Sequence, residues 1–269
     1  MRLNASPSLQ CRCCRAARPV RFIPFQGRFV AIDPAAAISD FTAMSDIQRQ
    51  DYESNGYTLI PAVAPKEVVD HLLAIICAQM NTKPELLNSF LTTPRVNAKP
   101  AYEFYSYRHP TVMGFHWGLT SRMVALTGKR LAPSYAYFRV YQKGDICTVH
   151  SDRQSCEHSL SMMLGNSDNI DWPFEIGEQR YEFEDACKLE KANDFGGEPA
   201  RQLVLNAGDA ILYQGCNYRH GRTIPNPDRW SAHLFLHWID LDGPFSEWAF
   251  DRQTFPAMGD FPFPETVSP

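Results

Sequence analysis

Apolar and polar residues alternate with a period of two through the centre of the chain, which is the pattern of β-strands. From Tyr135 to Tyr141 the odd positions hold tyrosines and an arginine, and the even positions hold apolar residues. Residues 231–239 alternate in the same way, with histidines and a phenylalanine on one side and leucines and a tryptophan on the other. Each of these strands should have two faces of different character. Further strands are predicted at 57–61, 146–149, 157–164, 172–176, 203–205 and 210–214.

Ahead of the long strands, apolar residues recur three to four positions apart, which predicts helices. The predicted helices span residues 46–55, 65–80, 84–90 and 111–127. Gly56 and Gly128 follow two of them as stop signals. Such helices are expected to form a layer that supports a sheet.

Many short strands joined by turns that contain Gly and Asp follow this helical segment. That order favours a mainly β fold with supporting helices, in the α+β class. We predict a double-stranded β-helix core, the jelly-roll or cupin-like barrel. One domain is expected over 44–269, made of a helical support (44–133), the jelly-roll core (134–243) and a C-terminal tail (244–269).

Residues 1–43 differ from the rest because six arginines precede the first acidic residue, Asp33. No apolar stretch typical of a secretory signal is present, but an arginine-rich start is compatible with an organelle transit peptide. Met44 and the helix-capping pattern Ser45–Gln48 favour the alternative, an upstream extension with no fold of its own. We therefore expect residues 1–43 to be disordered and the protein to be cytoplasmic.

Composition excludes several classes of partner. The net charge of −4 indicates no general attraction to nucleic acid, and no apolar run approaches the roughly 18 residues of a membrane helix. The eight cysteines show no regular spacing, so free thiols are expected. Cys11 and Cys14 are the one pair at CxxC spacing, and no second cluster completes a four-ligand zinc site.

The candidate chemistry lies at the end of a predicted strand, where His150 and Asp152 form an H-x-D motif. In extended chain, residues two apart point to the same side and can share one metal ion. His220 is the candidate for a third ligand, since it follows the predicted strand at 210–214 on a neighbouring part of the barrel. Two imidazoles and one carboxylate form the facial triad of non-haem iron(II) oxygenases.

Two further positions add to this motif. Arg229 and Ser231 stand at the start of the predicted strand 231–239, and Tyr141 stands nine residues before His150. An arginine fork matches a carboxylate, and a tyrosine hydroxyl can assist it.

These residues, in this order, resemble the 2-oxoglutarate/iron(II)-dependent dioxygenases, within them the prolyl-hydroxylase-like group, over roughly residues 133–240. The segment 139–165 also resembles an uncharacterised branch of that family. The resemblance implies that His150, Asp152 and His220 bind Fe(II), and that Arg229, Ser231 and Tyr141 hold 2-oxoglutarate. It also implies hydroxylation of a C–H bond with O₂ as oxidant and release of succinate and CO₂. Ascorbate is a candidate auxiliary reductant, and the substrate is a small molecule or peptide that the sequence does not identify.

Several assignments have alternatives. Arg222, two residues after His220, is a second candidate for the carboxylate clamp, although the strand after Arg229 favours Arg229. Weaker candidates for substrate contact are Arg153, Arg139 and His233, each of which could instead be a structural residue. A non-catalytic, metal-binding jelly-roll sensor or binding protein would need the three ligands but no carboxylate clamp. A zinc or manganese hydrolase or isomerase on the same barrel is a third hypothesis.

Overall fold

The computed structural model describes residues 34–253 and Gly259, with side chains from residue 45 onward except that of Pro84. The chain divides into two units, Met1–Ser39 and Asp40–Pro269. The Cys11–Cys14 cluster, the extension before residue 34 and the tail beyond Gln253, apart from Gly259, lie outside the described residues. Their predicted properties stay predictions.

Helices form before the long strands, as the periodicity predicted. They are α1 (Pro34–Asn55), α2 (Lys66–Met80), α3 (Pro84–Ser89), α4 (Pro110–Gly118), α5 (Thr120–Thr127) and the short α6 (Phe183–Ala186). α1 begins at Pro34 rather than near residue 46, so it extends into the segment expected to have no fold. The local reason is that proline is tolerated in the first helical turn and that Ala35–Ala37 have high helix propensity. The single helix predicted over 111–127 is two helices that meet at Leu119, next to Gly118.

The strands pair antiparallel throughout the described chain. They are β1 (Tyr57–Ile60), β2 (Leu91–Thr92), β3 (Ala101–Tyr105), β4 (Leu131–Gln142), β5 (Cys147–His150), β6 (His158–Asn166), β7 (Phe174–Arg180), β8 (Ala200–Leu203), β9 (Ala210–Tyr213), β10 (Tyr218–Arg222) and β11 (Trp230–Asp240). A seven-stranded sheet has the order β1-β9-β6-β11-β4-β3-β2, and a four-stranded sheet has the order β5-β10-β7-β8. This is the mainly β jelly-roll architecture that the sequence predicted.

The two faces of the large sheet have different neighbours. Leu234, Leu236 and Trp238 of β11 share the main hydrophobic core with apolar residues of α2, α4 and α5. The opposite face of the large sheet packs on the small sheet, for example where Tyr213 meets Phe174. Burying the helix-facing side chains supplies the main stabilisation, at about 1.5–3 kcal/mol for each large apolar residue. The inter-sheet space holds apolar clusters of its own together with buried polar residues such as His220, Arg222 and His233.

The part of the chain that the structure describes contains neither a membrane-spanning helix nor a disulfide. Within residues 34–253, no helix has the length and hydropathy needed to cross a membrane. The cysteines in that part of the chain are free thiols, as expected. They are Cys77, Cys147, Cys156, Cys187 and Cys216.

Candidate metal and co-substrate site

Three side chains with metal-binding atoms meet between the two sheets. His150 ends β5 and His220 lies directly opposite it on β10, with ring centroids 4.6 Å apart. Asp152 follows β5, and its two carboxylate oxygens lie 3.6 Å from His150 Nε2 and 3.5 Å from His220 Nε2. Ligands bound at right angles around one ion, at about 2.1 Å each, are about 3 Å apart. The spacing therefore suits one shared metal ion.

Hydrogen bonds made by both histidines leave the Nε2 nitrogen of each ring free to bind a metal ion. His150 Nδ1 lies 2.7 Å from the Thr148 carbonyl oxygen, and His220 Nδ1 lies 3.0 Å from the Tyr218 carbonyl oxygen. A carbonyl oxygen can only accept, so each Nδ1 carries the proton and donates it. In the neutral ring Nε2 then has a free lone pair that faces the other ligands.

Asp152 is held in place by its surroundings. Its backbone N–H donates to the Gly215 carbonyl oxygen at 2.9 Å, and Ser159 Oγ donates to its Oδ2 at 3.3 Å. A Cβ atom at Gly215 would overlap Asp152 Oδ2 and the Cys156 carbonyl oxygen. Position 215 therefore requires glycine because the carboxylate passes directly over the backbone.

Electrostatics favour the metal-binding forms of these residues. Burial lowers the pKa of His150, and the neighbouring His220 lowers it further. Burial alone would raise the pKa of Asp152, but His220 and His150 outweigh it and bring that pKa well below its ordinary value. At neutral pH the site thus presents one carboxylate and a neutral His150 imidazole, the forms that bind a cation.

A second set of possible ligands shares Asp152. Cys156 and His237 also place a sulfur and a nitrogen near that carboxylate. Burial raises the pKa of the Cys156 thiol well above its ordinary value, and Asp152 adds to the effect. Because the thiolate is the metal-binding form, this set is the weaker candidate.

Arg222 brings a positive charge deep into the same space. It lies two residues after His220 on β10, and its side chain is 2 % exposed. The guanidinium stacks over the rings of Trp172 at 4.9 Å and Phe174 at 5.2 Å. Among the described residues no carboxylate pairs with it, and its Nε has no hydrogen-bond partner. A buried, unpaired guanidinium is costly, so this position fits an anionic ligand.

The prediction that β11 aims Arg229 into the barrel is wrong. Arg229 Nε lies 3.2 Å from Asp168 Oδ1, and the arginine side chain is 71 % exposed. The Arg229 backbone N–H also donates to Asp168 at 2.9 Å. Because β11 begins only at Trp230, this arginine belongs to the preceding surface loop and not to the inward-facing row. Of the two candidate arginines, the structure brings Arg222 to the pocket.

Ser231, His233 and Arg222 form a connected row. Arg222 Nη2 lies 3.4 Å from His233 Nδ1, and His233 Nε2 lies 2.8 Å from Ser231 Oγ. A guanidinium only donates, so His233 accepts at Nδ1 and donates from Nε2 to the serine. Burial lowers the pKa of His233, and Arg222 lowers it further, which keeps this ring neutral. Ser231 therefore meets Arg222 through His233 and not directly.

Tyr141 and Arg139 lie on the pocket side of β4. Tyr141 is fully buried, borders the cavity, and accepts a hydrogen bond at its hydroxyl from Arg139 Nη1 at 3.2 Å. Arg139 also forms a buried ion pair with Glu103 at 2.5 Å. Arg153 is at the rim, where it pairs with Asp251 at 2.7 Å instead of with Glu157. Both arginines are thus neutralised within the protein.

The cavity at this site is narrow, with a free volume of about 30 Å³. The residues that line it include six site candidates predicted from the sequence: His150, Asp152, His220, Tyr141, Arg139 and Arg222. Tyr137 and Phe235 also line it but were not predicted as site residues, and His237 had no specific predicted role, although all three occupy the inward positions of the alternating strands. The strict alternation of side chains along β4 and β11 was the sequence pattern that places these three residues on the cavity side. No pattern in the sequence indicates a role for Gly215 or Ser159, because their role depends on contacts between distant segments.

Comparison with known proteins agrees with this architecture. No family model matches the chain, and no curated protein matches it in sequence. Solved structures do match: the 2-oxoglutarate-dependent carbocyclase SnoK from nogalamycin biosynthesis is 13 % identical with a TM-score of 0.57, covering 80 % of this chain and 93 % of SnoK. HygX from Streptomyces hygroscopicus with nickel and 2-oxoglutarate bound is 10 % identical with a TM-score of 0.53, covering 73 % and 87 %. A Pseudomonas putida prolyl-4-hydroxylase is 12 % identical with a TM-score of 0.50, covering 72 % and 98 %.

At these identities the likeness concerns the fold. The chain has the fold of the 2-oxoglutarate/iron(II) oxygenases, and it has a His-Asp-His group able to hold a metal. Function has to be argued from its own residues.

Proposed function

We propose that the protein is an iron(II)- and 2-oxoglutarate-dependent oxygenase. It hydroxylates a C–H bond of its substrate and releases succinate and CO₂. The observation that carries this proposal is the buried, unpaired Arg222 two residues from His220 on one strand. Residues two apart on a strand point to the same side, so one dicarboxylate can reach both the metal and the guanidinium.

The ligand set favours iron(II) over a structural metal. Two imidazoles and one carboxylate leave open positions on the metal, as in non-haem iron(II) oxygenases. Structural zinc sites usually have four protein ligands, and burial raises the pKa of the thiol that also lies near Asp152, Cys156, well above its ordinary value, which disfavours the metal-binding thiolate. His150, Asp152 and His220 are therefore the proposed iron ligands.

The charges of the site fit a dicarboxylate. Asp152 is a carboxylate without an arginine or lysine partner among the described residues, and Arg222 is a cation without a carboxylate. A divalent metal beside Asp152 and a carboxylate beside Arg222 would compensate both. The guanidinium fork can donate two parallel hydrogen bonds to the far carboxylate of 2-oxoglutarate.

Neighbouring residues position this arginine and exclude water. His233 accepts from Arg222, and the rings of Trp172 and Phe174 lie against its guanidinium. A fork held in one orientation loses less conformational freedom when it binds a carboxylate. Iron(II) with 2-oxoglutarate and dioxygen supplies the oxidising power, whereas the protein supplies orientation and a closed, low-dielectric site.

The reaction type rests on Asp152. A carboxylate at this position fills the coordination site that a halide would need, so hydroxylation is favoured over halogenation. Similar structures include a carbocyclase, an epimerase and a prolyl-4-hydroxylase. Hydroxylation is the simplest outcome of C–H oxidation for this chain.

The proposal can be tested on protein prepared without oxygen. Iron(II) and 2-oxoglutarate are added and the visible charge-transfer band is recorded; oxygen is then admitted and succinate is measured. We expect a band and slow succinate release from the wild type, and neither from His150→Ala or Asp152→Ala. His71→Ala is the matched control, since His71 is exposed on α2 and away from the cavity.

The outcomes separate the competing functions. A band without succinate would indicate a binding or sensor protein, and metal binding without any effect of 2-oxoglutarate would indicate a hydrolase or isomerase. Absence of both signals in the wild type would refute the proposal.

A further inference from the structure

A row of aromatic rings leads from the surface to the cavity. Tyr107 and Tyr105 are exposed by 53 % and 37 %, and their rings stack with centroids 5.7 Å apart. Tyr105 in turn lies 5.9 Å from Tyr135 and 5.8 Å from Tyr137, both of which line the cavity. We call these four residues the tyrosine row. Exposed aromatic rings that continue into a cavity form a surface on which a flat apolar molecule can lie.

The small size of the cavity indicates a function for the tyrosine row. The free space between the lining side chains is only about 30 Å³, far below the roughly 300–1,000 Å³ of small-molecule pockets. If 2-oxoglutarate occupies the part beside Arg222, little space remains near the metal. A substrate can then place only its reacting part inside, and the rest of it must lie at the mouth, where the tyrosine row is.

Charge beside the two inner rings of the tyrosine row is already compensated. Arg139 lies 4.9 Å from the ring of Tyr137 but is paired with Glu103, and Arg153 lies 4.7 Å from the ring of Tyr135 but is paired with Asp251. An anionic substrate would find no free cation beside these two rings. The inner end of the row therefore favours an uncharged group over a carboxylate or phosphate, whereas the exposed Arg108 lies 5.6 Å from the outer ring, that of Tyr107.

One residue of the cavity wall has a buried polar atom without a partner. His237 on β11 lines the cavity beside the rings of Tyr135 and Tyr137, and its Nε2 has no hydrogen-bond partner among the described residues. Its Nδ1 lies 2.8 Å from Ser159 Oγ. That hydroxyl is also near two groups that only accept, Asp152 Oδ2 and the Cys156 carbonyl oxygen. The serine proton goes to one of them, so Nδ1 donates to the serine and Nε2 is left as an acceptor.

We infer that the substrate is an uncharged compound with a planar ring system and a hydrogen-bond donor, such as a hydroxyl group. The tyrosine row stacks against its ring, and His237 Nε2 accepts from its donor beside the metal. This inference rests on the proposed oxygenase function, because it assumes that 2-oxoglutarate fills the Arg222 side of the cavity.

The test uses 2-naphthol as the probe, with 2-methoxynaphthalene and 2-naphthoate for comparison. Each is titrated by calorimetry into the full-length protein loaded with iron(II) and 2-oxoglutarate under anaerobic conditions. We expect 2-naphthol to bind about 10-fold more tightly than 2-methoxynaphthalene, which has the ring but no donor. The anion 2-naphthoate should bind more weakly than 2-naphthol.

Variants assign the two contacts. Tyr105→Ala should weaken binding of 2-naphthol and 2-methoxynaphthalene alike, by about 3- to 10-fold for a lost ring contact. Trp230→Ala is the matched control, since Trp230 is equally exposed at 37 % but lies on the helix-facing side of the large sheet. His237→Phe should abolish the preference for 2-naphthol, and His237→Gln, which keeps a polar acceptor, should retain part of it.

The failures can be told apart. If the wild type shows no charge-transfer band, the proposed oxygenase function fails, whatever the probes do. If the band forms but 2-naphthoate binds as well as 2-naphthol, or Tyr105→Ala changes nothing, only the substrate class is overturned. Loss of the band in both folded His237 variants would make His237 a metal ligand and overturn its assignment as substrate acceptor.

Discussion

Replacing Arg222 with methionine should separate co-substrate binding from folding. Methionine keeps an unbranched side chain of similar length that can lie against Trp172 and Phe174, but it removes the charge and all the N–H donors. The variant therefore removes the ability of the cavity to bind a carboxylate, together with the 3.4 Å hydrogen bond to His233 Nδ1.

The expected loss of 2-oxoglutarate affinity is large. Removing one partner of a buried, hydrogen-bonded charge pair typically costs about 2–5 kcal/mol. Arg222 is 2 % exposed, so little solvent screening reduces this value. About 3 kcal/mol corresponds to a dissociation constant more than about 100-fold higher. Iron affinity should change little, because Arg222 does not touch the three metal ligands.

Folding should respond in the opposite direction. Without 2-oxoglutarate the buried guanidinium is unpaired among the described residues, and burying such a charge opposes folding. Arg222→Met should therefore leave the free energy of unfolding of the ligand-free protein unchanged or raise it. A purely structural arginine, by contrast, would lower that free energy when it is removed.

The assay is a titration of anaerobic, iron-loaded protein with 2-oxoglutarate, followed by the charge-transfer band, together with urea unfolding of the ligand-free protein. Arg229→Met is the control, since Arg229 is exposed and paired with Asp168 at the surface. It should leave the titration unchanged. If Arg229→Met weakens 2-oxoglutarate binding and Arg222→Met does not, the clamp is Arg229 and the reasoning from burial is refuted.

Three further predictions concern the metal and the buried histidines. Gly215→Ala should weaken iron(II) binding by at least about 10-fold, because the added methyl group overlaps Asp152 Oδ2. The control is Gly114→Ala, at a helical position with open space around it, which should bind iron(II) normally and stabilise the protein by about 0.5–1 kcal/mol. Iron(II) at 100 times its dissociation constant should stabilise the wild type by about 2.7 kcal/mol and not stabilise Asp152→Ala, as measured by unfolding; equal stabilisation of both would exclude Asp152 as a ligand. Burial lowers the pKa of three histidines. The pKa falls to about 3 for His116 and to about 4 for both His158 and His237. The unfolded chain binds more protons there below its pKa of about 6.5, so each of these three histidines should lower the stability of the metal-free protein by on the order of 2 kcal/mol between pH 7 and 5. The raised pKa of Glu157, about 7 and caused mainly by burial, acts in the opposite direction and offsets part of this loss; unchanged urea midpoints across this range would contradict the assignment.

The elements with strong periodicity were predictable, and those that depend on tertiary contacts were not. The alternation on β4 and β11 correctly divided their side chains into two faces, and the structure shows that one face packs on the helices and the other faces the cavity. β10 had no such signal, because Tyr218–Arg222 is polar in sequence but buried at all five positions. Its polar groups are tolerated because β5 and β7 pair with its backbone and the cavity accommodates its side chains.

The two arginines show the same limit within the site. Spacing after His220 and the following strand favoured Arg229, but spacing cannot tell where a strand begins to within one residue. β11 begins at Trp230, and Asp168, 61 residues earlier in the chain, draws Arg229 to the surface. Arg222 reaches the cavity because it shares a strand face with His220.

The sequence by itself determined the fold class, the helix-then-strand order and the residues with the chemistry of a metal site, since side-chain period and ligand type are local properties. Only the tertiary structure brought His150, Asp152 and His220 within bonding distance of one point, and only it left Arg222 without a carboxylate partner among the described residues. It also neutralised Arg139 and Arg153 and left His237 Nε2 free among the described residues. Pairing and burial depend on which distant segments meet, and local sequence patterns do not specify that.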